Sequence, residues 1–445
     1  MAPCPIAAGS RPSRYATRPG VASLVASFSL YLGALGCTGE LESPAVYDCS
    51  VDGRKAFVAD IMSDYYLWYD RVAPVDVAAM STPEELMRAM MFTELDHWSG
   101  MQRRAERAAY FDEGRFQGLG YTLGLDLDGG LRISWVHEGS AAGRAGLDRG
   151  ALILAVNGQP VEDLSGSQLD AELSRSVVVH TIRELDGTVH DVELAQGDVQ
   201  ITSVKNQTVL DTPGGPVGYL MFTTFVLPGE DELKKAFTTF RDQGVTELVI
   251  DLRYNGGGLL RTAALLGSLI AKDAAGLPLI VETYNDHHAD LNRSRLMDPT
   301  PESVAASHVV FLTTGRTASA SEQVINGLRP YVDVDVVGTT TLGKPVGADS
   351  WDHCEYTLAP ITFHSLNAAG EGDFFSGIQP TCTVLDDLLH RLGDPEERQL
   401  GAALRLLAGQ PCEPGGETEK ALAPATGSRT PGLLPGRFPE LPGGY

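Results

Sequence analysis

Between residues 201 and 390, short apolar runs alternate with amphipathic stretches, and this alternation constrains the fold more than any other feature of the chain. The runs at 217–222, 247–252, 279–282, 309–313 and 332–337 are rich in branched and aromatic residues and predict strands. Helical spacing at 231–243, 261–271 and 319–328 separates them. Parallel strands need crossovers, so the pattern predicts an α/β domain with a mostly parallel sheet under helices joined by right-handed connections. Residues 384–407 predict a closing helical region. Beyond Cys412 the chain is rich in Pro, Gly and Ser and has little to bury, which predicts a disordered tail.

Upstream the pattern changes twice. From Lys55 to Met101 the spacing is helical: Phe57, Ile61, Tyr65 and Leu67-Trp68 share a face, and Pro83-Glu84-Glu85-Leu86 reads as a helix start. Met87, Met90 and Met91 continue that face as core residues. Residues 115–200 instead show short β runs at 131–136, 152–156 and 176–180 between Gly and Asp turns, which predicts a small β domain. Asp126-Leu127-Asp128-Gly129-Gly130 has the look of a calcium loop but lacks the remaining ligand positions, so a hairpin turn is expected there.

At 445 residues the chain is long enough for two or three domains. Its formal charge of -24 argues against nucleic-acid binding, which needs a basic footprint. Arg11, Arg14 and Arg18 precede an apolar, small-residue run at 21–36 that ends at Cys37, the order of a secretory signal peptide. The run is shorter than the roughly 20 residues a spanning helix needs. Leu32-Gly33-Ala34-Leu35-Gly36-Cys37 resembles a bacterial lipoprotein cleavage box, with Ala34 where Leu is usual. Lipidation of Cys37 and plain secretion both remain open, and either places the chain outside the cytoplasm, in the bacterial cell envelope. Removing the three arginines with the signal leaves a charge of -27. Cys49, Cys354, Cys382 and Cys412 then remain, an even number whose three possible pairings the sequence does not choose among. No Cys/His spacing suggests a metal site, and the His residues, adjacent His287 and His288 included, read as surface residues.

Three segments carry chemistry. In Glu247-Leu248-Val249-Ile250-Asp251-Leu252-Arg253-Tyr254-Asn255-Gly256-Gly257-Gly258 a buried strand runs into consecutive glycines. Glycine permits a sharp turn and close backbone approach, with N–H groups able to face a developing negative charge. A plain tight turn explains the same residues. In Thr314-Gly315-Arg316-Thr317-Ala318-Ser319-Ala320-Ser321-Glu322 a serine sits between a strand and a helix, at the positive end of the helix dipole. Ser319 or Ser321 as a helix cap, with Glu322 completing a capping box on Ser319, explains that segment equally. In Thr339-Thr340-Thr341-Leu342-Gly343-Lys344-Pro345-Val346-Gly347 a lysine follows a strand end between Gly and Pro. Held away from water, its amine pKa falls from about 10.4 toward neutrality; a surface lysine is the alternative.

In this order the three segments resemble the core of the carboxyl-terminal processing, or tail-specific, proteases of peptidase family S41. The family carries Asp-Leu-Arg-x-Asn-x-Gly-Gly, then a Ser-Ala-Ser-Ala-Ser-Glu-like motif, then Gly-Lys after the next strand. The resemblance implies Ser319 as nucleophile and Lys344, 25 residues on, as its general base. It further implies Ala320 and Gly257 N–H groups as the oxyanion hole and Glu322 as a group that orients the lysine. Such a pair needs no metal or cofactor. Phe116-Gln117-Gly118-Leu119-Gly120-Tyr121, with 139–147 and 155–158, resembles a PDZ domain, in which Gly118, Leu119, Gly120 and Tyr121 would hold a peptide terminus. The run Tyr65–Tyr69 resembles the N-terminal helical region of exported members.

The expected organisation is a signal segment at 1–37, a tether and helical region at 38–112, a PDZ-like domain at 113–200, a protease core of the ClpP/crotonase-like α/β type at 201–412 and a tail at 413–445. Two positions depart from the family: Ala348 stands where many members have Gln, four residues after the lysine, and Ala151 where PDZ motifs often have Asp. Activity as a serine endopeptidase on unfolded or C-terminally presented polypeptides is expected. A non-catalytic peptide- or ligand-binding protein on the same scaffold is the rival, and a PDZ adaptor leaves the glycine and lysine segments unexplained.

Overall fold

The computed structural model describes residues 47–412, so the signal segment, Cys37 and the tail lie outside the described residues. The central sheet has six strands in the spatial order Val204–Thr212, Gly215–Phe222, Glu247–Asp251, His308–Thr313, Asp333–Gly338 and Cys382–Thr383. Its first pair is antiparallel and every later pair is parallel. The strands read as unbroken apolar runs because both faces are covered. Leu248 and Ile250 pack against the helices Leu227–Asp242, Leu260–Ile270 and Ala320–Leu328, whereas Val249 faces the helix Arg398–Leu407. Val309 and Phe311 repeat this alternation against Val310 and Leu312.

Two expectations for the core need correction. The run at 279–282 is a strand, Pro278–Tyr284, but it leaves the parallel sheet. It pairs antiparallel with Arg293–Leu296 and Ile361–Leu366 in a separate four-stranded sheet that ends in Val346–Ala348. The closing region is helical only from Arg398 to Leu407, since Cys382–Thr383 adds an edge strand first.

The N-terminal region comprises the helices Val51–Asp64 and Pro83–Ala89, and the aromatic run 65–69 packs beyond the first helix end. The strand Gly100–Arg103 joins Tyr356–Ala359, and Cys49 is bonded to Cys354 across 305 residues. A second disulfide, Cys382–Cys412, ties the end of the core to the edge strand.

The β domain is a separate antiparallel sheet with its own core, built on Ile133, Ile153, Val156, Val178 and Ile182. Its entry and exit strands, Arg115–Gly118 and Gly197–Gln200, pair with each other, so the domain is inserted on a two-stranded stalk. The Asp126–Gly130 segment is the expected hairpin turn. The Asp126 carboxylate accepts the Asp128 and Gly130 N–H groups and an Arg132 N–H.

Among the described residues no helix is long and apolar enough to cross a membrane, and no group of three His, Cys, Asp or Glu is placed to hold a metal ion. The His residues are not all on the surface as expected: His137 and His180 are buried, and the His288 ring stacks on Tyr65 at 3.9 Å, a contact the flat faces of both rings favour.

Candidate active site

The chain leaves the strand Glu247–Asp251 under the control of one buried cation. Arg253 is fully buried, and its guanidinium lies 2.6 Å from Asp251, 2.9 Å from Asp386 and 3.0 Å from Glu397. Burial alone disfavours its charge, but the surrounding carboxylates raise its pKa well above the ordinary arginine value. Next to it, Asn255 works as a clamp. Its Nδ2 donates to Phe222 O at 2.9 Å, and its carbonyl accepts the Ala318 N–H at 3.1 Å and the Ser321 hydroxyl at 3.0 Å. Thus the Asn255 carbonyl fixes the glycine turn to the serine segment, and its side chain fixes the turn to the strand Gly215–Phe222.

Gly257 lies at the closest approach, with φ +106°. A Cβ there would stand 2.8 Å from the Ser319 Cβ and 2.9 Å from the Ala320 nitrogen, so only glycine fits. Ser319 itself has φ +55°, a conformation that a side-chain-bearing residue adopts only when its surroundings force it. Here those surroundings are Thr317, whose hydroxyl donates to Leu252 O at 2.8 Å, and the helix that opens at Ala320. As the first helical residue, Ala320 has no acceptor one turn back for its N–H. The Gly257 N–H differs from expectation: it donates to Asn255 Oδ1 at 2.9 Å and can reach a substrate oxygen only by giving up that bond.

Glu322 joins the serine segment to the lysine segment. It is fully buried, and its Oε2 accepts both the Ser319 N–H and the Lys344 N–H at 2.8 Å. Its Oε1 accepts the Gly343 N–H at 2.7 Å and the Thr341 hydroxyl. The main-chain nitrogens of Ser319 and Lys344 are therefore no more than about 5.6 Å apart, twice that shared bond length. Burial raises the Glu322 pKa, and the four donors oppose that rise. The capping alternative is present in its backbone half, and the same carboxylate also organises the lysine loop.

Lys344 is 1% exposed, and burial lowers its pKa to about 7 against the opposing fields of Asp96 and Glu322. Gly343, at φ +94°, lets the loop pass beneath Phe375 O, which a Cβ would approach to 2.4 Å. Of the two readings that the Gly-Lys-Pro segment left open, the structure has the buried lysine and not the surface one.

Four expected PDZ-loop residues separate on inspection. Gly118 belongs to the stalk, Leu119 to the β-domain core, and Gly120 to a turn at φ +87° against Ser140. Tyr121 faces a cavity of about 380 Å³ between the β domain and the core, lined also by Tyr110, Trp135, His137, Thr223 and Gly256. The cavity ends at the glycine turn, one residue from Gly257.

Sequence reasoning missed Asp96 and Trp98, which approach Lys344 from the N-terminal region, and Arg149. The Arg149 side chain crosses from the β domain to Tyr254, Asp386 and His390 O of the core. The only available signal for the first pair was a carboxylate beside an aromatic residue, which is too common to single out.

Comparison with known proteins agrees with this architecture. The family model for the S41 N-terminal domain matches residues 54–100, that for a PDZ domain 132–184 and that for peptidase family S41 216–384. The carboxy-terminal processing protease CtpA of Bacillus subtilis is 26% identical over 352 residues, 76% of this chain and 70% of that protein. A carboxyl-terminal-processing protease of Synechocystis is 25% identical over 304 residues, 66% of this chain and 69% of its own length. A solved structure assigned to the S41 proteases, from Bacteroides fragilis, superposes with a TM-score of 0.65 at 27% identity, covering 82% of this chain and 99% of that one. With N-terminal region, PDZ domain and core matched in order, the chain belongs to peptidase family S41 and is a serine peptidase.

Proposed function

We propose that the chain is an endopeptidase that works through a Ser319–Lys344 pair. The observation that carries the reading is the shared Glu322 oxygen, which fixes the backbones of both residues while the lysine is buried enough to shed its proton near neutral pH. In the proposed cycle the neutral Lys344 amine takes the Ser319 hydroxyl proton as Oγ attacks a peptide carbonyl. The Ala320 N–H meets the developing oxyanion, joined by the Gly257 N–H once it leaves Asn255. Collapse of the tetrahedral intermediate breaks the C–N bond. The leaving amine takes the proton from Lys344, and an ester remains on Ser319. Water, deprotonated by the same lysine, then attacks the ester, and as the C–O bond to Ser319 breaks Lys344 returns the proton to Oγ.

The substrates proposed are unfolded or C-terminally presented exported polypeptides, offered along the cavity between the PDZ domain and the core. This follows from the signal-like N-terminus and from the names of the processing proteases that the chain resembles. A cell-envelope location, with Cys37 as a lipid anchor, belongs to the same proposal.

Degradation of casein by the mature chain, beside Ser319→Ala and Lys344→Ala variants, tests the mechanism. Both variants are expected to lose at least about 10³-fold in rate with unchanged thermal unfolding. Near wild-type cleavage by either one removes that residue from the mechanism.

A further inference from the structure

A buried lysine can serve as a base only while water is kept from its amine. Glu322 lies on the serine side of Lys344, and the opposite wall comes from a different part of the chain. Residues 96–99 form a loop organised around one carboxylate. Asp96, 1% exposed, accepts the Tyr66 hydroxyl at 2.8 Å, the Trp98 and Ser99 N–H groups at 2.9 Å and the Ser99 hydroxyl at 2.5 Å. The Ser99 oxygen in turn accepts the Ile361 N–H at 2.9 Å, and the Ile361 carbonyl accepts the Leu67 N–H at 2.8 Å. The loop is thereby fixed to the strand Ile361–Leu366, next to the strand Val346–Ala348 that follows the lysine. Val346, two residues beyond Lys344, is buried in the N-terminal cluster with Met62, Leu86 and Leu358. Over the amine lies the Trp98 ring, its centroid 5.8 Å from Nζ.

We propose that Asp96 and Trp98 are positioning residues for Lys344: the indole covers the amine, and the carboxylate holds the indole in place while adding a negative field. The inference rests on the reading of Lys344 as general base. It assigns to the N-terminal region the support that Ala348, standing where many relatives of this type have Gln, does not supply.

Two carboxylates face the amine, Asp96 from the N-terminal loop and Glu322 from the helix Ala320–Leu328. Both favour the charged form, and burial outweighs them. Removal of each part of the wall therefore acts in a stated direction. Replacing Asp96 by Asn deletes one field that favours the ammonium, so the lysine becomes harder to protonate. Replacing Trp98 by Ala admits water. Rehydration favours the ammonium by more than the lost ring contact disfavours it, because burial shifts lysines by up to about 3–5 pKa units and a cation–π contact counts for only about 0.4–1.5 on the same scale.

The test is kcat/KM against pH for the full mature chain on a quenched-fluorescent peptide, with wild type, Asp96→Asn, Trp98→Ala, Trp98→Phe and Lys344→Ala. The acid limb is expected to move down by about 0.5 unit or more in Asp96→Asn and up by a similar amount in Trp98→Ala. Trp98→Phe, which keeps a ring over the amine, is expected to restore the wild-type midpoint. Slower variants whose midpoints do not move, beside an inactive Lys344→Ala, overturn the positioning role and leave the base intact. An active Lys344→Ala overturns the base reading as well. Should Asp96→Asn fail to fold, the Ala and Phe variants at Trp98 decide the matter.

Discussion

Two cations are buried in the same protein, and they meet opposite fates. Arg253 has no exposed surface, yet its charge is strengthened because three carboxylates lie within hydrogen-bonding distance of its guanidinium. Lys344 is buried to nearly the same degree, yet its pKa falls to about 7. Asp96 and Glu322 both favour its charge, but their fields are weaker than the cost of removing the amine from water. Burial by itself therefore decides nothing about a charge. How far the nearby carboxylates offset the cost of desolvation decides whether a buried cation is a structural tie or a base.

The comparison breaks most visibly at Arg253. Its replacement by Met strands Asp251 and Glu397 without a counter-charge, and a loss of about 3–5 kcal/mol is expected in urea unfolding at pH 7. A variant as stable as wild type contradicts the structural role. Next in size is Gly257→Ala. The added methyl lands against Ser319 and the Ala320 nitrogen, and a fall of about 10²-fold in kcat is expected with the fold retained.

A more gradual effect, spread over pH, sharpens the contrast at Lys344. The folded protein binds this proton with a pKa of about 7, the unfolded chain with about 10.4. Between those values the unfolded state holds the extra proton, so this group's contribution to stability rises with pH and flattens above about 10. Relative to Lys344→Met, wild type is expected to gain up to about 1.4 kcal/mol per pH unit between pH 7 and 10. Parallel stability curves for the two proteins contradict a depressed lysine.

Much of this was legible in the sequence, for identifiable reasons. Central strands such as 247–252 and 309–313 are apolar on both faces, and the serine and lysine motifs follow the strands His308–Thr313 and Asp333–Gly338, so local pattern located these segments between their strands and helix. The strand at 278–284 is as apolar as its neighbours, and nothing local revealed that it joins a different sheet. Register at Gly257 was equally hidden, because its N–H is engaged by a side chain two residues away. Pairing of Cys49 with Cys354, the Arg149 crossing to Asp386 and the approach of Asp96 to Lys344 join residues more than 200 apart. Such contacts carry no periodic or motif signal in a single sequence.

The central claim is that Lys344 activates Ser319, and labelling of Ser319 by a fluorophosphonate probe as a function of pH tests it most directly. The account predicts a labelling rate that rises with pH to half its maximum near pH 7 in wild type, and that is lost across the whole range in Lys344→Ala. Labelling of Lys344→Ala at the wild-type rate, or a wild-type rate that does not change between pH 5 and 9, would contradict it.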